Sequence, residues 1–252
     1  KIMEVENVND KQVITRIGLK KVRGLSRDTL IESIKSLSAE LKLSVKEVNI
    51  SISGPSTIVR FISMPRMKED ELKSAIKFEA EKYIPFAIDE CIIDYQILRK
   101  DDKENKFDIL LAAVKKQMVM DRISIAEESG LSAAIVDIDT FALTNSFLRS
   151  FDRRDAGKTA ALVNIGASLT NVSIVRGGLL RFSRDVAIAG ADFSQAISKG
   201  LGIDLTAAED IKVSPGEKKQ DIINFTKNTM NSFIDEMRLS FSYYENQSGV
   251  GV

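Results

Sequence analysis

An α/β protein in two halves is what the sequence predicts. Short runs of alternating apolar residues are interleaved with segments whose apolar residues recur every three or four positions, the signatures of half-buried strands and amphipathic helices. The polar stretch Ser150 to Lys158, with Asp152-Arg153-Arg154-Asp155 and Gly157, offers nothing to bury and reads as a linker, so a new half begins at Thr159. At 252 residues the chain is long enough for one large domain or two ordinary ones.

In the first half, Lys1 to Val5 and Gln12 to Gly18 read as strands of a hairpin around the turn-forming Asn7-Val8-Asn9-Asp10. Ser26 is placed to cap a helix whose apolar face is Leu30, Ile34, Leu37 and Leu41. Val48, Ile50 and Ile52 alternate up to Gly54-Pro55, and Ile58 to Ile62 forms the next strand. A charged helix from Lys68 to Tyr83 follows, carrying Leu72, Ala75 and Ile76 inward until Pro85 prevents its continuation. Strands at Cys91 to Leu98 and Phe107 to Val114 flank the polar loop Lys100 to Lys106. A helix from Met118 to Ser129, closed by Gly130, leads to the strand Ala133 to Ile138 and a helix from Asp139 to Leu148. Ile58 to Ile138 is thus one β-α-β-β-α-β run.

The second half opens on the segment ALVNIGASLTNVSIVRGG, Ala161 to Gly178, where a strand breaks at Ile165-Gly166-Ala167 and returns as a second strand. Two readings apply. The local pattern is that of an ordinary β-hairpin. The same small residues, with Ser168, Thr170 and Asn171 beside them, also let backbone N–H groups approach a phosphate. A strand from Leu179 to Asp185 and a helix entered through Ala189-Gly190-Ala191-Asp192-Phe193 follow, with Phe193, Ile197 and Leu201 inward. Thr206 and Glu209 have capping-box spacing before a short helix. Ser214-Pro215-Gly216 separates that helix from a long amphipathic one, Asp221 to about Glu245, whose stripe runs through Ile222 or Ile223, Thr226, Met230, Phe233, Met237, Phe241 and Tyr244.

Composition removes whole classes of chemistry. There are 36 basic and 36 acidic residues, interspersed along the chain, which argues against a nucleic-acid partner. The absence of histidine removes Ser-His-Asp and Cys-His catalysis and the HExxH zinc site together. A single cysteine, Cys91, excludes an internal disulfide framework and agrees with a reducing compartment. No apolar run is long enough to span a bilayer, and direct membrane insertion is not expected.

Two β-β-β-α halves, the second with a glycine turn and a Gly-Ala-Asp-Phe helix entry, resemble the actin and heat-shock-70 nucleotide-binding superfamily. The segments KFEAEKYIPFAIDECIIDYQIL (Lys77 to Leu98), DILLAAVKKQMVMDRISIAEESGLSAAIVDID and AGADFSQAISKGLGIDLTAAEDIK resemble the type IV pilus assembly protein PilM family, actin-like relatives of the division protein FtsA. The resemblance implies an actin-like, ribonuclease-H-like two-lobe fold with an FtsA-type inserted subdomain. Residues 1–56 and 136–158 would form the first-lobe core, 57–135 the insert and 159–252 the second lobe. It further implies a cytoplasmic, ATP- and magnesium-binding scaffold, peripheral to the inner membrane through its partner. That partner is the short N-terminal tail of a PilN-like bitopic membrane protein, held in a groove between the first-lobe core and the insert. Contacts with other pilus components and self-association accord with the same family.

The family's second phosphate motif, resembling D-I-G-A-S-T-T-N, falls on Asn164 to Asn171, so Asn164, Gly166, Ala167, Ser168, Thr170 and Asn171 are the expected nucleotide contacts. Asn164 stands where an aspartate is expected and Leu169 where a threonine is. An amide brings no negative charge to metal-bound water, so binding without turnover is the expectation, and no catalytic or protein-held metal residue is assigned. Glu209 and Lys212 have the E-x-x-K spacing of the superfamily's adenosine contact, and equally that of a cap and a solvated charge. Gly190 reads either as a close approach to nucleotide or as a hinge. The family's first phosphate loop would lie just before Lys1 and its Gly-Gly adenosine motif just after Val252, so reduced nucleotide affinity is expected of these residues alone. The charged helix Lys68 to Tyr83 reads either as a partner-binding surface, with Phe78 off the inward stripe as its exposed apolar contact, or more simply as a face kept wet by its charges, whereas Tyr83, Pro85 and Phe86 are expected to pack in the core. Rival readings are an FtsA-like filament-forming division protein and a kinase of the same superfamily.

Overall fold

Strand β1 (Ile2–Val8) pairs antiparallel with β2 (Lys11–Gly18), with a bulge between Glu4 and Val5. This hairpin belongs to a computed structural model that describes residues 1–9, 11–22, 24–150 and 157–252. Residue 10 of the expected turn, and most of the expected linker, 151–156, lie outside the described residues. Glu4 is 5% exposed, and its carboxylate accepts from the Ser44 N–H at 2.7 Å and from Arg16. The hairpin is thereby tied to the loop after α1 (Arg27–Leu41). Ser26 caps α1 as expected, accepting from the Thr29 N–H, and Ile31 and Leu37 are its buried residues.

Beyond α1, β3 (Glu47–Ile52) is followed by β4 (Thr57–Pro65), α2 (Glu69–Ala80), β5 (Cys91–Asp101), β6 (Lys106–Lys115), α3 (Lys116–Glu128), β7 (Ser132–Ile138) and α4 (Asp139–Arg149). The β-α-β-β-α-β run is therefore present, but its strands divide between two sheets. β4, β6 and β5 form an antiparallel sheet in that order, whereas β7 pairs in parallel with β3. One face of the three-stranded sheet carries Ile62, Met64, Phe107, Ile109 and Leu111 against Leu72, Ile76 and Ala80 of α2. Leu72 and Ile76, at 1% and 2% exposure, each contribute about 1.5 to 3 kcal/mol by leaving water.

Helix α2 stops three residues before the expected Tyr83. Tyr83 donates its N–H to the Ala80 carbonyl, and Ile84 does the same, tightening the last turn. This turn carries Ile84 into the core and leaves Tyr83 at 38% and Phe78 at 71% exposure. Of the Tyr83, Pro85 and Phe86 cluster, only Phe86 packs against the core, beneath the Lys115 ammonium 4.2 Å from its ring centroid.

In the second half, β8 (Thr159–Ile165), β9 (Thr170–Arg176) and β10 (Leu179–Val186) form an antiparallel sheet with β9 in the centre. Helices α5 (Gly190–Leu201), α6 (Leu205–Val213) and α7 (Lys219–Ser248) follow. Thr170 through Val175 are all buried because β9 is covered on both faces. Val172 and Ile174 pack with Phe182 and Val186 against Tyr244, Met237 and Phe241 of α7. Val175 and Leu180, on the other face, meet Leu110 of β6 and Phe141 and Leu148 of α4. The α7 stripe follows the expected spacing except at Met230, which is 45% exposed.

Candidate functional site

The turn between β8 and β9 is closed by the Gly166 N–H donating to the Leu169 carbonyl at 2.9 Å. A Cβ on Gly166 would lie 2.8 Å from that same oxygen, so the turn requires glycine. Gly166, Ala167 and Ser168 are exposed, and the N–H groups of Ala167 and Ser168 have no acceptor among the described residues. Two adjacent exposed donors and a hydroxyl, on a turn without bulky side chains, fit a phosphate group of the implied nucleotide.

Helix α5 begins directly against this turn. Gly190 donates its N–H to the Gly166 carbonyl at 3.0 Å and Ala191 donates to the Ala167 carbonyl at 2.7 Å. A Cβ on Gly190 would approach Gly166 O to 3.2 Å and Lys212 Nζ to 3.4 Å, so a glycine admits the turn and the lysine side by side. Lys212 Nζ donates to Gly190 O at 2.9 Å, Ser194 Oγ at 3.0 Å and Glu209 Oε2 at 2.7 Å. The capping explanation for Glu209 does not hold. Asp204 caps α6 instead, accepting from the N–H groups of Thr206 and Ala207, and Glu209 is bonded to Ser194 and Lys212. Gly166, Ala167, Gly190, Glu209 and Lys212 are therefore brought together, with Ser168 on the open side of the turn.

Of the remaining expected residues, Thr170 and Asn171 are buried beneath the turn, whereas Asn164 is exposed on β8. Thr170 is fully buried, and its hydroxyl donates to the Ile188 carbonyl at 2.8 Å. Asn164 Nδ2 donates to Asn171 Oδ1 at 3.1 Å, and Asn171 Nδ2 donates to Asp185 Oδ1 at 2.7 Å. Asp185 Oδ2 in turn accepts from the Gly54 N–H at 3.3 Å, so the chain of bonds runs from β8 to the loop entering β4. Burial pushes the Asp185 carboxyl above the ordinary aspartate value; the bonds from Asn171 and Gly54 pull it down, and Asp139 pushes it up. Asp185 was missed by sequence reasoning, although it is the only acid of its strand, Leu179–Val186.

A second concavity lies between the two halves. Its volume is about 320 Å³, and it is floored by the face of the β4-β6-β5 sheet opposite α2. Asp94 and Gln96 of β5 sit across from Ala112 and Leu110 of β6, and α4 supplies Phe141, Asn145 and Leu148. The β9–β10 turn closes one end with Gly178 and Leu180. β5 is the terminal strand of its sheet, so one edge of its backbone is unpaired within that sheet. Among the described residues no helix is long and apolar enough to cross a membrane, and no group of three or more acids or cysteines could hold a metal.

A family model described as type IV pilus assembly protein PilM matches residues 10–249. The solved PilM-PilN type IV pilus biogenesis complex contains a chain with the same fold, at a TM-score of 0.86 and 24% identity, covering 98% of this chain and 74% of that one. Over 116 residues, 46% of this chain and 24% of the relative, the sequence is 26% identical to cell division protein FtsA of Staphylococcus epidermidis. It thus spans about a quarter of that relative's length. MreB 5 of Spiroplasma citri bound to AMPPNP aligns more loosely, with a TM-score of 0.41 and 17% identity over 51% of this chain and 48% of that one. The α/β fold expected from the sequence is the one observed, and it is shared with the chain of the PilM-PilN complex.

Proposed function

Since the chain belongs to the type IV pilus assembly protein PilM family, we propose that it is an actin-like scaffold of the pilus assembly machinery that seats the N-terminal cytoplasmic tail of a PilN-like bitopic membrane protein. The observation that carries this reading is the groove between the β4-β6-β5 sheet, α4 and the β9–β10 turn. Its apolar floor and walls, Leu98, Leu110, Phe141, Leu148 and Leu180, are edged by the amides of Gln96 and Asn145. An extended tail gains main-chain bonds from an open strand edge and pockets for alternate side chains, and β5 offers both. The protein would then be cytoplasmic and held at the inner membrane through that tail.

The same reading puts ATP, with magnesium, at the glycine turn. Ala167 and Ser168 would hold a phosphate, while Glu209 and Lys212 would face the nucleoside and Gly190 would hold α5 close to the turn. Bound ATP would supply a cluster of negative charge at the two free N–H groups. Asn164 is committed to Asn171 and carries no charge, which supports a binder with little or no hydrolysis. We keep the division into 1–56 with 136–158, 57–135 and 159–252 as part of this proposal. β7, which spans position 135, joins the insert to β3.

Titration with peptides from the N-termini of bitopic membrane proteins tests the scaffold role. One peptide should bind saturably at micromolar concentration while its scrambled form does not. Asn145→Arg, an exposed change on the groove wall, should weaken that binding about tenfold or more. Binding unaltered by Asn145→Arg would remove the groove from the proposal, and phosphorylation of a sugar with no peptide bound would remove the scaffold.

A further inference from the structure

The second-half sheet carries another concavity at the end opposite the glycine turn. It holds about 420 Å³ and is lined by Arg176, Gly177, Arg181, Tyr244, Gln247 and Ser248. A β-bulge creates it. Leu180 faces Val175 and Phe182 faces Ile174, leaving Arg181 as the extra residue between them. Leu180 packs toward α4 whereas Phe182 packs toward α7, so the bulge leaves Arg181 and Phe182 on the same side. Arg176 has the parity of Val172 and Ile174, which also face α7. Both guanidinium groups are thus delivered over the last turn of α7.

Neither arginine has an ion pair or hydrogen bond among the described residues. The carbonyls ending α7 carry about half a negative charge, which one cation offsets, and the second remains in excess. Tyr244 is 4% exposed, its ring fixed in the core beside Val172, Ile174 and Phe182. Its hydroxyl has no partner among the described residues, yet it is not sealed from solvent and therefore emerges into the cleft. Two unpaired forks and the Tyr244 hydroxyl converge on one opening, beside the Gln247 amide, which already gives one of its two N–H groups to the Tyr243 hydroxyl at 2.9 Å.

We propose that this cleft binds an oxyanion of the phosphate class, with Arg176 and Arg181 as its cationic walls and Tyr244 as a neutral donor. The site is separate from the glycine turn and does not depend on the pilus reading. The phosphate belongs either to a soluble phosphorylated ligand or to an anionic lipid headgroup.

Pyrophosphate titrated into the isotopically labelled full chain should shift the amides of Gly177, Gly178 and Ser248 saturably. Arg176→Gln with Arg181→Gln should abolish those shifts. The paired changes to lysine keep the charge but lose the fork, and should weaken binding about tenfold. Tyr244→Phe leaves the ring packed and should weaken it several-fold with native circular dichroism retained. In parallel, the chain is sedimented with vesicles of phosphatidylcholine alone or mixed with phosphatidylglycerol. Co-sedimentation confined to the mixed vesicles and lost in the glutamine variant assigns the headgroup, and pyrophosphate binding without it assigns a soluble ligand. Responses confined to the glycine turn with no arginine-dependent vesicle binding, or responses unchanged in the glutamine variant, overturn the proposal.

Discussion

Lys212→Met removes an ammonium while keeping most of the aliphatic stem, and so isolates what three hydrogen bonds do for the α5–α6 junction. The bond to Glu209 counts least, because that carboxylate side chain is 38% exposed and a partly solvated ion pair contributes about 0.5 kcal/mol. Those to the Gly190 carbonyl and the fully buried Ser194 hydroxyl are charge-assisted and shielded, contributing about 1 kcal/mol each once the ordering of a long side chain is offset. The loss should be about 2 to 3 kcal/mol, or roughly 5 to 10 °C in Tm for a chain of this size. Urea denaturation of parent, Lys212→Met, Glu209→Gln and the double variant measures both the loss and its coupling. The two single changes should be sub-additive by about 0.5 kcal/mol, since each removes the same ion pair. A loss below about 0.5 kcal/mol in Lys212→Met would show that the lysine is solvated and does not organise the start of α5.

Asn164→Asp should not create a well-placed acid. Asn171 turns its Oδ1 toward residue 164 because its Nδ2 is given to Asp185, so a carboxylate would face an acceptor and cost about 1 to 2 kcal/mol. Thermal unfolding measures that cost, and ATP hydrolysis by parent and variant should both remain slow; fast turnover in the parent would show that the missing carboxylate was overvalued. Asp185 makes a pH prediction. Its folded-state pKa is raised, so the fold favours the neutral acid: this contribution is complete below the ordinary aspartate value and is lost as pH rises through the raised one. Stability of the parent relative to Asp185→Asn should therefore fall as pH rises from about 4, then level off. A difference that grows with pH would mean that the bonds from Asn171 and Gly54 outweigh burial.

Local signals made much of the architecture legible. Ser26 as a cap, the stripe of α2, the polar loop between β5 and β6 and the Gly-Ala-Asp-Phe entry to α5 each rest on residues within one or two turns of each other. What escaped was set by distant partners. Nothing near Ala133 says that β7 pairs with β3, more than 80 positions earlier in the chain. Thr206 and Glu209 have capping-box spacing, but Asp204, two residues before Thr206, bonds the first N–H groups of α6 and frees Glu209 to meet Lys212. The arginine cleft depends on a one-residue bulge, and strict alternation would have assigned Arg181 and Phe182 to opposite faces. The peptide groove likewise needs the tertiary meeting of β5, α4 and the β9–β10 turn.

The buried strand β9 bears on how the ends of this sheet could communicate. Its seven residues span roughly 20 Å, with the glycine turn at one end and the Arg176 cleft at the other. Every residue from Thr170 to Val175 is enclosed by neighbours on both faces. Such a strand behaves as a stiff rod, and its amide hydrogens should be among the slowest to exchange with solvent. An event at one end would reach the other as a displacement of the whole strand against α4 and α7, because close packing leaves no room for it to bend between them.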